Sequence, residues 1–148
     1  MSLIKTNAIQ TTGGKPILNS TGGILQVVQT TITTQASTTS GSYTPGGSTA
    51  NIIPSSSSSK VLVIANGNVQ NGSASGGTYV ALFKNGSFLY SANLHQFSAG
   101  GNNICDYAIS YLDSPATTSS TTYAIYFARY NTGTSYVFEQ AIQLLEVS

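Results

Sequence analysis

The dipeptide Asn85-Gly86 separates two runs that are rich in β-branched and aromatic residues, residues 78–84 and residues 87–94. A two-residue Asn-Gly turn needs positive φ at both positions, and it is the strongest short-range signal for a β-hairpin. We therefore predict an antiparallel hairpin in the middle of the chain.

Similar runs occupy most of the remaining sequence. They are residues 24–34, 60–65, 104–112, 122–130 and 135–147. Their composition, and the Gly, Ser and Asn residues between them, favour the short strands of an all-β sandwich. The run 60–65 is continuously apolar, which is typical of a strand that is buried on both faces or lies at the centre of a sheet.

Two segments have a less distinct pattern. Residues 36–59 contain Pro45, Gly46-Gly47 and a run of five serines, so they are predicted to form a long connection in which any strand is short. Tyr43 and Ile52-Ile53 are the predicted contacts of this connection with the core. Residues 138–146 also fit a helical stripe, but the turn signal before them favours a returning strand, and we adopt the strand.

The predicted fold class is all-β, with a single antiparallel β-sandwich over residues 23–148. A jelly roll is the expected topology, and an up-and-down barrel or another Greek-key arrangement stays open. Residues 1–22 are polar and contain Gly13-Gly14, so they are predicted to form an extended N-terminal arm that anchors the protein. The candidate anchoring residues of this arm are Ile4, Ile9, Pro16, Ile17 and Leu18.

The low charge of the chain excludes some classes of partner. The sequence holds five basic and four acidic residues, and its net charge is +1. Such a chain cannot supply the basic patch that neutralises phosphates in nucleic-acid binding. Since no stretch approaches the roughly 18 apolar residues of a membrane-spanning helix, we expect neither nucleic acid nor membrane as a partner.

Residues that could carry out catalysis are few. The single histidine, His95, and the single cysteine, Cys105, are interpreted as a loop residue and a core residue. The four carboxylates form two pairs seven residues apart, about 23 Å along a strand, whereas a glycosidase needs about 5 to 9.5 Å. A cross-strand pair of Asp106 and Glu139 is conceivable, but no pattern indicates it. We expect a protein that is not an enzyme and that has no metal or cofactor.

The nine tyrosines are more suggestive. Outward tyrosines combine an apolar ring with a polar tip and could line a face that binds carbohydrate or protein. The preferred interpretation is that they cover sheet surface in an oligomer, because few charges protect these strands from edge pairing. The candidate surface contacts are Tyr79, Tyr90, His95 and Tyr130.

Three stretches of the sequence carry a resemblance to a known group of proteins. They are IKTNAIQTTGGKPILNSTGGILQVVQTTITT, IIPSSSSSKVLVIANGNV and the hairpin segment YVALFKNG. In this order they resemble small virion proteins of tailed bacteriophages, above all those of phages that infect cyanobacteria and other aquatic bacteria.

The resemblance implies a homotrimeric jelly-roll knob on the outer surface of a virion that is assembled in the host cytoplasm. Its implied partners are further copies of itself and the major capsid protein or another virion protein. Since no shaft of repeats precedes residue 24, a capsid decoration (cement) protein is favoured. The alternative is a tail-fibre or receptor-binding tip, in which the loops 66–77 and 95–103 contact host surface glycans.

Overall fold

A computed structural model describes residues 9–10, 16–18, 23–96 and 103–148. Strands β1 (Ile9–Gln10) and β2 (Pro16–Leu18) pair with each other in antiparallel orientation. The other strands, in chain order, are β3 (Ile24–Ile32), β4 (Ala36–Thr38), β5 (Thr44–Ile52), β6 (Lys60–Asn71), β7 (Gly77–Lys84), β8 (Ser87–Gln96), β9 (Ile104–Asp113), β10 (Thr121–Tyr130) and β11 (Ser135–Val147). Within these ranges no helix is long and apolar enough to cross a membrane.

The long strands form two antiparallel sheets. The larger sheet has the order β3-β11-β6-β9, with β4 added beside β11, and the smaller sheet has the order β5-β10-β7-β8. If the eight long strands are counted along the chain, the two sheets read 1-8-3-6 and 2-7-4-5. This is the strand order of a jelly roll, so the predicted all-β sandwich and its expected topology are confirmed.

The core lies between the two sheets and follows the period of two of a β-strand. In β6, Val61, Val63 and Ala65 are fully buried, while Leu62 and Ile64 point to the outer face. Strand β6 lies between β11 and β9, so the apolar run 60–65 is at the centre of a sheet and is not buried on both faces. The largest fully buried side chains are Tyr123, Phe127, Ile52, Leu82, Ile125, Ile142 and Leu144.

The predicted hairpin is present. Asn85 has φ of 50° and Gly86 has φ of 79°, as the two-residue turn requires. The turn sets the register of β7 and β8, in which Phe83 lies opposite Phe88. The backbone amide of Thr122 donates a hydrogen bond of 2.9 Å to Oδ1 of Asn85, which ties the turn to the neighbouring strand β10.

The segment 36–59 differs from the prediction, because it contains the nine-residue strand β5. Pro45 is tolerated since β5 is an edge strand of its sheet. The register of β5 shifts near Gly47, whose φ is +94°. Ile52 is a core residue as predicted, whereas Ile53 is exposed. Tyr43 is half-buried outside the core and packs against Phe83.

Of two other sequence predictions, one is confirmed and one has different bounds in the structure. The last segment is a strand, as predicted, and β11 lies between β3 and β6 in the larger sheet. The loop that was predicted at 66–77 is shorter, because β6 continues to Asn71 and the connection to β7 is residues 72–76. The side chain of Asn71 accounts for this: it donates hydrogen bonds to the Gly77 carbonyl at 3.0 Å and to Oγ of Ser135 at 3.1 Å, and so stabilises the end of β6.

Candidate interaction surfaces

Two of the four carboxylates stabilise the fold. Asp113 on β9 forms a salt bridge of 2.9 Å with Nζ of Lys84 on β7, and it accepts a hydrogen bond of 2.7 Å from the hydroxyl of Tyr123 on β10. These contacts join the two sheets. Burial raises the pKa of Tyr123, and its hydrogen bond to the Asp113 carboxylate raises it further, so the phenol stays protonated.

The second structural carboxylate is Glu146 on β11. Its side chain is fully buried and accepts hydrogen bonds from Ser55 and Gln26. Burial by itself raises the pKa of Glu146, but hydrogen bonds from Ser55, Gln26 and Ser59 outweigh it and lower the pKa to about 2. The charge of Glu146 therefore holds the serine run against the last strand.

The other two carboxylates, Asp106 and Glu139, line one basin of about 530 Å³ on the outer face of the larger sheet. No sequence pattern indicates this cross-strand pair, but the structure places both residues at the basin. Asp106 accepts a hydrogen bond from the Asn68 side chain, and Glu139 lies at an irregularity of β11 with φ of 50°. In the described part of the chain, no three His, Cys, Asp or Glu side chains cluster as a metal site would require.

The candidate surface tyrosines are not alike. Tyr79 and Tyr130 are half-buried and pack edge-to-face, with their ring centroids 5.5 Å apart. Tyr90 is more exposed and packs against Tyr111, with ring centroids 5.3 Å apart. Since Tyr90 is on β8 and Tyr111 is on β9, this pair closes the gap between the two sheets at one edge. His95 lies in β8, opposite Thr78 of β7, and not in a loop.

The structure describes four of the five candidate anchoring residues. Ile4 lies outside the described residues. Ile9 is in β1, and Pro16, Ile17 and Leu18 form β2. The anchoring role of residues 1–22 stays a prediction.

An aromatic cluster covers part of the outer face of the smaller sheet. The rings of Phe83 and Tyr126 stack with their centroids 4.0 Å apart, and Tyr43 and Phe88 pack around Phe83. Phe88 is 55% exposed. Sequence analysis missed this cluster, although the register of the Asn-Gly turn already places Phe83 opposite Phe88.

An apolar row crosses the outer face of the larger sheet. Val27 of β3 lies opposite Leu145 of β11, Leu145 lies opposite Leu62 of β6, and Leu62 lies opposite Leu112 of β9. Val27 is 61% exposed and Leu112 is 51% exposed. We call these four residues the apolar row. Sequence analysis missed it because the row exists only once the register of four strands is known.

The comparisons with known proteins bear on the fold. No protein-family model matches the chain, and no curated protein matches it in sequence. Among solved structures, a chain of the T13 viral particle of infectious bursal disease virus (IBDV) matches 93% of this chain with a TM-score of 0.56 and 14% identity. The VP2 subviral particle of the same virus also gives a TM-score of 0.56, at 12% identity.

These matches involve only part of the viral chains. The protein covers 35% of the chain of the T13 particle and 37% of the VP2 chain, although 93% of its own length is matched in both cases. A structure of the virus from the Gt strain gives the same result, with a TM-score of 0.55, 12% identity and 38% of that chain covered. At these identities the comparison establishes a shared fold: the protein has the jelly roll of one part of these viral particle proteins.

Proposed function

We propose that this protein is a structural protein of a virion. The observation that carries the proposal is the jelly-roll strand order, which is matched over 93% of the chain in a protein of the IBDV particle. The composition supports it, because a chain with only five basic and four acidic residues suits an assembly in which other copies cover the strand edges. The proposal assigns no catalytic role and no cofactor to the chain.

The finer proposal is a homotrimeric decoration knob on the outer surface of a capsid, with residues 1–22 as its anchor. The ends of the sandwich support this arrangement. The amide of Ser148 donates to the Gly23 carbonyl at 3.1 Å, and the amide of Gly23 donates to the Ser148 hydroxyl at 3.2 Å. Gly23, the residue that follows the arm in the sequence, therefore lies beside Ser148 at one end of the sandwich, and in the proposed arrangement the opposite end projects outward.

The test uses the intact chain and particles that lack it. The full-length protein should bind such particles, and a map of the decorated particle should place it on the shell. Deletion of residues 1–22 should abolish binding while the sandwich keeps its melting temperature. A matched variant keeps the full length of the chain and carries serine in place of Ile4, Ile9, Ile17 and Leu18. This variant should also fail to bind the particles. Binding by the deletion variant as strong as that of the intact chain would contradict the anchor.

The aromatic cluster supports a second candidate function, a receptor-binding tip that contacts host surface glycans. The exposed ring of Phe88 offers an apolar surface to a sugar, and the nearby Ser91 hydroxyl, which lies 3.4 Å from the Tyr43 hydroxyl, offers hydrogen bonds. A glycan array with the multivalent protein tests this function. Binding that is lost in Phe88→Ala and kept in the exposed-loop variant Thr132→Ala would favour the tip over the knob.

A further inference from the structure

The basin on the outer face of the larger sheet has a regular pattern of small and polar residues. Asn66 of β6 lies opposite Ala108 of β9, and Asn68 lies opposite Asp106. Gly67, between the two asparagines, also lines the basin and has no side chain. The glycine and the alanine leave a depression in the sheet, and the polar side chains beside them face it.

A β-bulge brings Glu139 to this basin. Two residues of β11, Glu139 and Gln140, lie opposite the single residue Gly67 of β6. Val137 is fully buried, so a strict alternation along β11 would point Glu139 into the core as well. Instead Gln140 is buried and Glu139 is exposed, with a positive φ of 50°. The bulge thus turns a carboxylate out of the core and towards the basin.

A second depression, of about 200 Å³, continues the basin at the side of the sandwich. It is lined by residues 106–110 of β9 and by Tyr90 and Ala92 of β8. Residues 106–108 line both depressions. Since β8 and β9 are end strands of their sheets, the second depression lies where the outer face turns into the side of the sandwich. We call the two depressions together the polar groove.

The hydrogen-bonding groups of the polar groove favour a ligand that is rich in donors. The carboxylates of Asp106 and Glu139 only accept hydrogen bonds when they are ionised, whereas the amide of Asn66 both donates and accepts. The Asn68 amide donates to Oδ1 of Asp106 and so orients that carboxylate. A ligand with several hydroxyl groups supplies the donors that the two carboxylates need.

The other end of the polar groove offers an aromatic ring. Tyr90 is 42% exposed, and its ring packs on that of Tyr111 with the centroids 5.3 Å apart. An exposed ring held in this way provides an apolar surface for the C–H face of a sugar. No basic residue of the described ranges lines the groove, so an anionic ligand would meet two carboxylates without a compensating charge.

We infer that the polar groove binds a neutral oligosaccharide. Asp106 and Glu139 belong to the strands on either side of β6, two inter-strand spacings or about 10 Å apart. One sugar ring fits between these strands, and further units follow the groove towards Tyr90. The site lies apart from the aromatic cluster of the smaller sheet, and it does not depend on the virion role.

The experiment begins with an array of neutral oligosaccharides and of acidic counterparts in which a uronic acid replaces one neutral sugar. The neutral oligosaccharide that the full-length protein binds best is then titrated into the labelled protein and followed by NMR. The amide signals of Asn66, Asp106 and Ala108 should shift. The acidic counterpart should bind at least about 10-fold more weakly, because it adds a negative charge beside two carboxylates.

Two variants test the two ends of the groove. Glu139→Gln and Tyr90→Ala should each raise the dissociation constant of the neutral oligosaccharide at least about 10-fold. Glu139→Gln should also reduce the discrimination against the acidic counterpart, since it removes one of the two negative charges. Thr132→Ala, in an exposed loop, is the control and should bind as the unchanged protein does. The melting temperature of each variant checks its fold.

Four results would overturn the inference. They are an array without a neutral binder, equal or tighter binding of the acidic counterpart, binding that a metal chelator abolishes, and neutral binding that is lost in Phe88→Ala but kept in Glu139→Gln. The third result would identify a divalent cation as the partner of the carboxylates. The fourth would assign the saccharide to the aromatic cluster.

These outcomes are separable from those of the proposed function. A chain that binds particles but no saccharide loses the site described here and keeps the virion role. A chain that binds a neutral oligosaccharide in the polar groove but is absent from particles keeps the site and loses the virion role.

Discussion

Glu146 accepts two hydrogen bonds from Ser55, one from its amide nitrogen and one from its hydroxyl, and both measure 2.7 Å to Oε1. The other carboxylate oxygen, Oε2, accepts a 2.6 Å hydrogen bond from Nε2 of Gln26. The connection between β5 and β6 is thereby fastened to the last strand and to β3. This gives the serine run of the sequence a structural role, because serine offers both an amide and a hydroxyl donor to one buried carboxylate.

Replacement of this carboxylate by an amide should destabilise the fold. In Glu146→Gln the side chain keeps its shape but presents an NH₂ group to donors, so at least one buried donor loses its partner. We expect a loss of about 1–3 kcal/mol in the free energy of unfolding. Urea denaturation at neutral pH measures it. The exposed residue Glu139 provides the matched control, since Glu139→Gln should change the free energy by less than about 0.5 kcal/mol. Equal values for the two variants would contradict the role of Glu146.

The same carboxylate predicts a pH dependence. The pKa of Glu146 is about 2 in the folded state, and that of an unfolded glutamate is about 4.3. Because the folded state holds the proton less tightly, the stabilisation by Glu146 is complete above about pH 5 and is lost as the pH falls towards 2. The difference in unfolding free energy between the wild type and Glu146→Gln should therefore shrink across this window. A difference that stays constant from pH 6 to pH 2.5 would argue against it.

The sequence predicts the strands whose pattern is local and misses features that depend on tertiary contacts. The Asn85-Gly86 hairpin is predicted because both φ values follow from two residues. Strand β5 is missed because Pro45 and Gly46-Gly47 are turn residues in most contexts. Here Gly46 lies against the buried Gln140, whose Nε2 donates a 2.6 Å hydrogen bond to the Gly46 carbonyl, so glycine fills a close approach within a strand.

The candidate surfaces also depend on tertiary contacts that the sequence does not show. Individual tyrosines can be identified in the sequence, but their partners cannot, because Tyr90 and Tyr111 are brought together across two different sheets. Likewise Val27 and Leu112 share the apolar row although 85 positions separate them in the chain. Such surfaces require the register of every strand between them, and a shift by one residue would move each side chain to the other face.

The hydrogen bond between the sheets gives a further prediction. The hydroxyl of Tyr123 is fully buried and donates to the Asp113 carboxylate. In Tyr123→Phe the ring still fills the core, but the carboxylate loses a donor, so we expect a loss of about 1.5–3 kcal/mol. Chemical denaturation measures it, and Tyr136→Phe on the half-buried outer face provides the control. A loss below about 0.5 kcal/mol would mean that Lys84 alone satisfies Asp113.

Two glycines are required for different reasons: Gly86 for its backbone conformation, and Gly67 because a side chain there would be overpacked. Gly86 has φ of +79° and no atom within 4 Å of an added Cβ. Gly86→Ala should therefore cost about 1–2 kcal/mol from the left-handed backbone alone. At Gly67 an added Cβ would lie 3.0 Å from the Tyr107 ring and 3.1 Å from Cγ of the buried Gln140.

Gly67→Ala should consequently cost about 1–3 kcal/mol through overpacking, and the two variants respond differently to a second change. Truncation of the neighbouring ring in Tyr107→Leu should relieve much of the cost at Gly67 and none of the cost at Gly86, since Tyr107 contacts only the first position. A double-mutant cycle on unfolding free energies measures this coupling. Coupling between Tyr107 and Gly86, or no coupling between Tyr107 and Gly67, would contradict the steric role of Gly67.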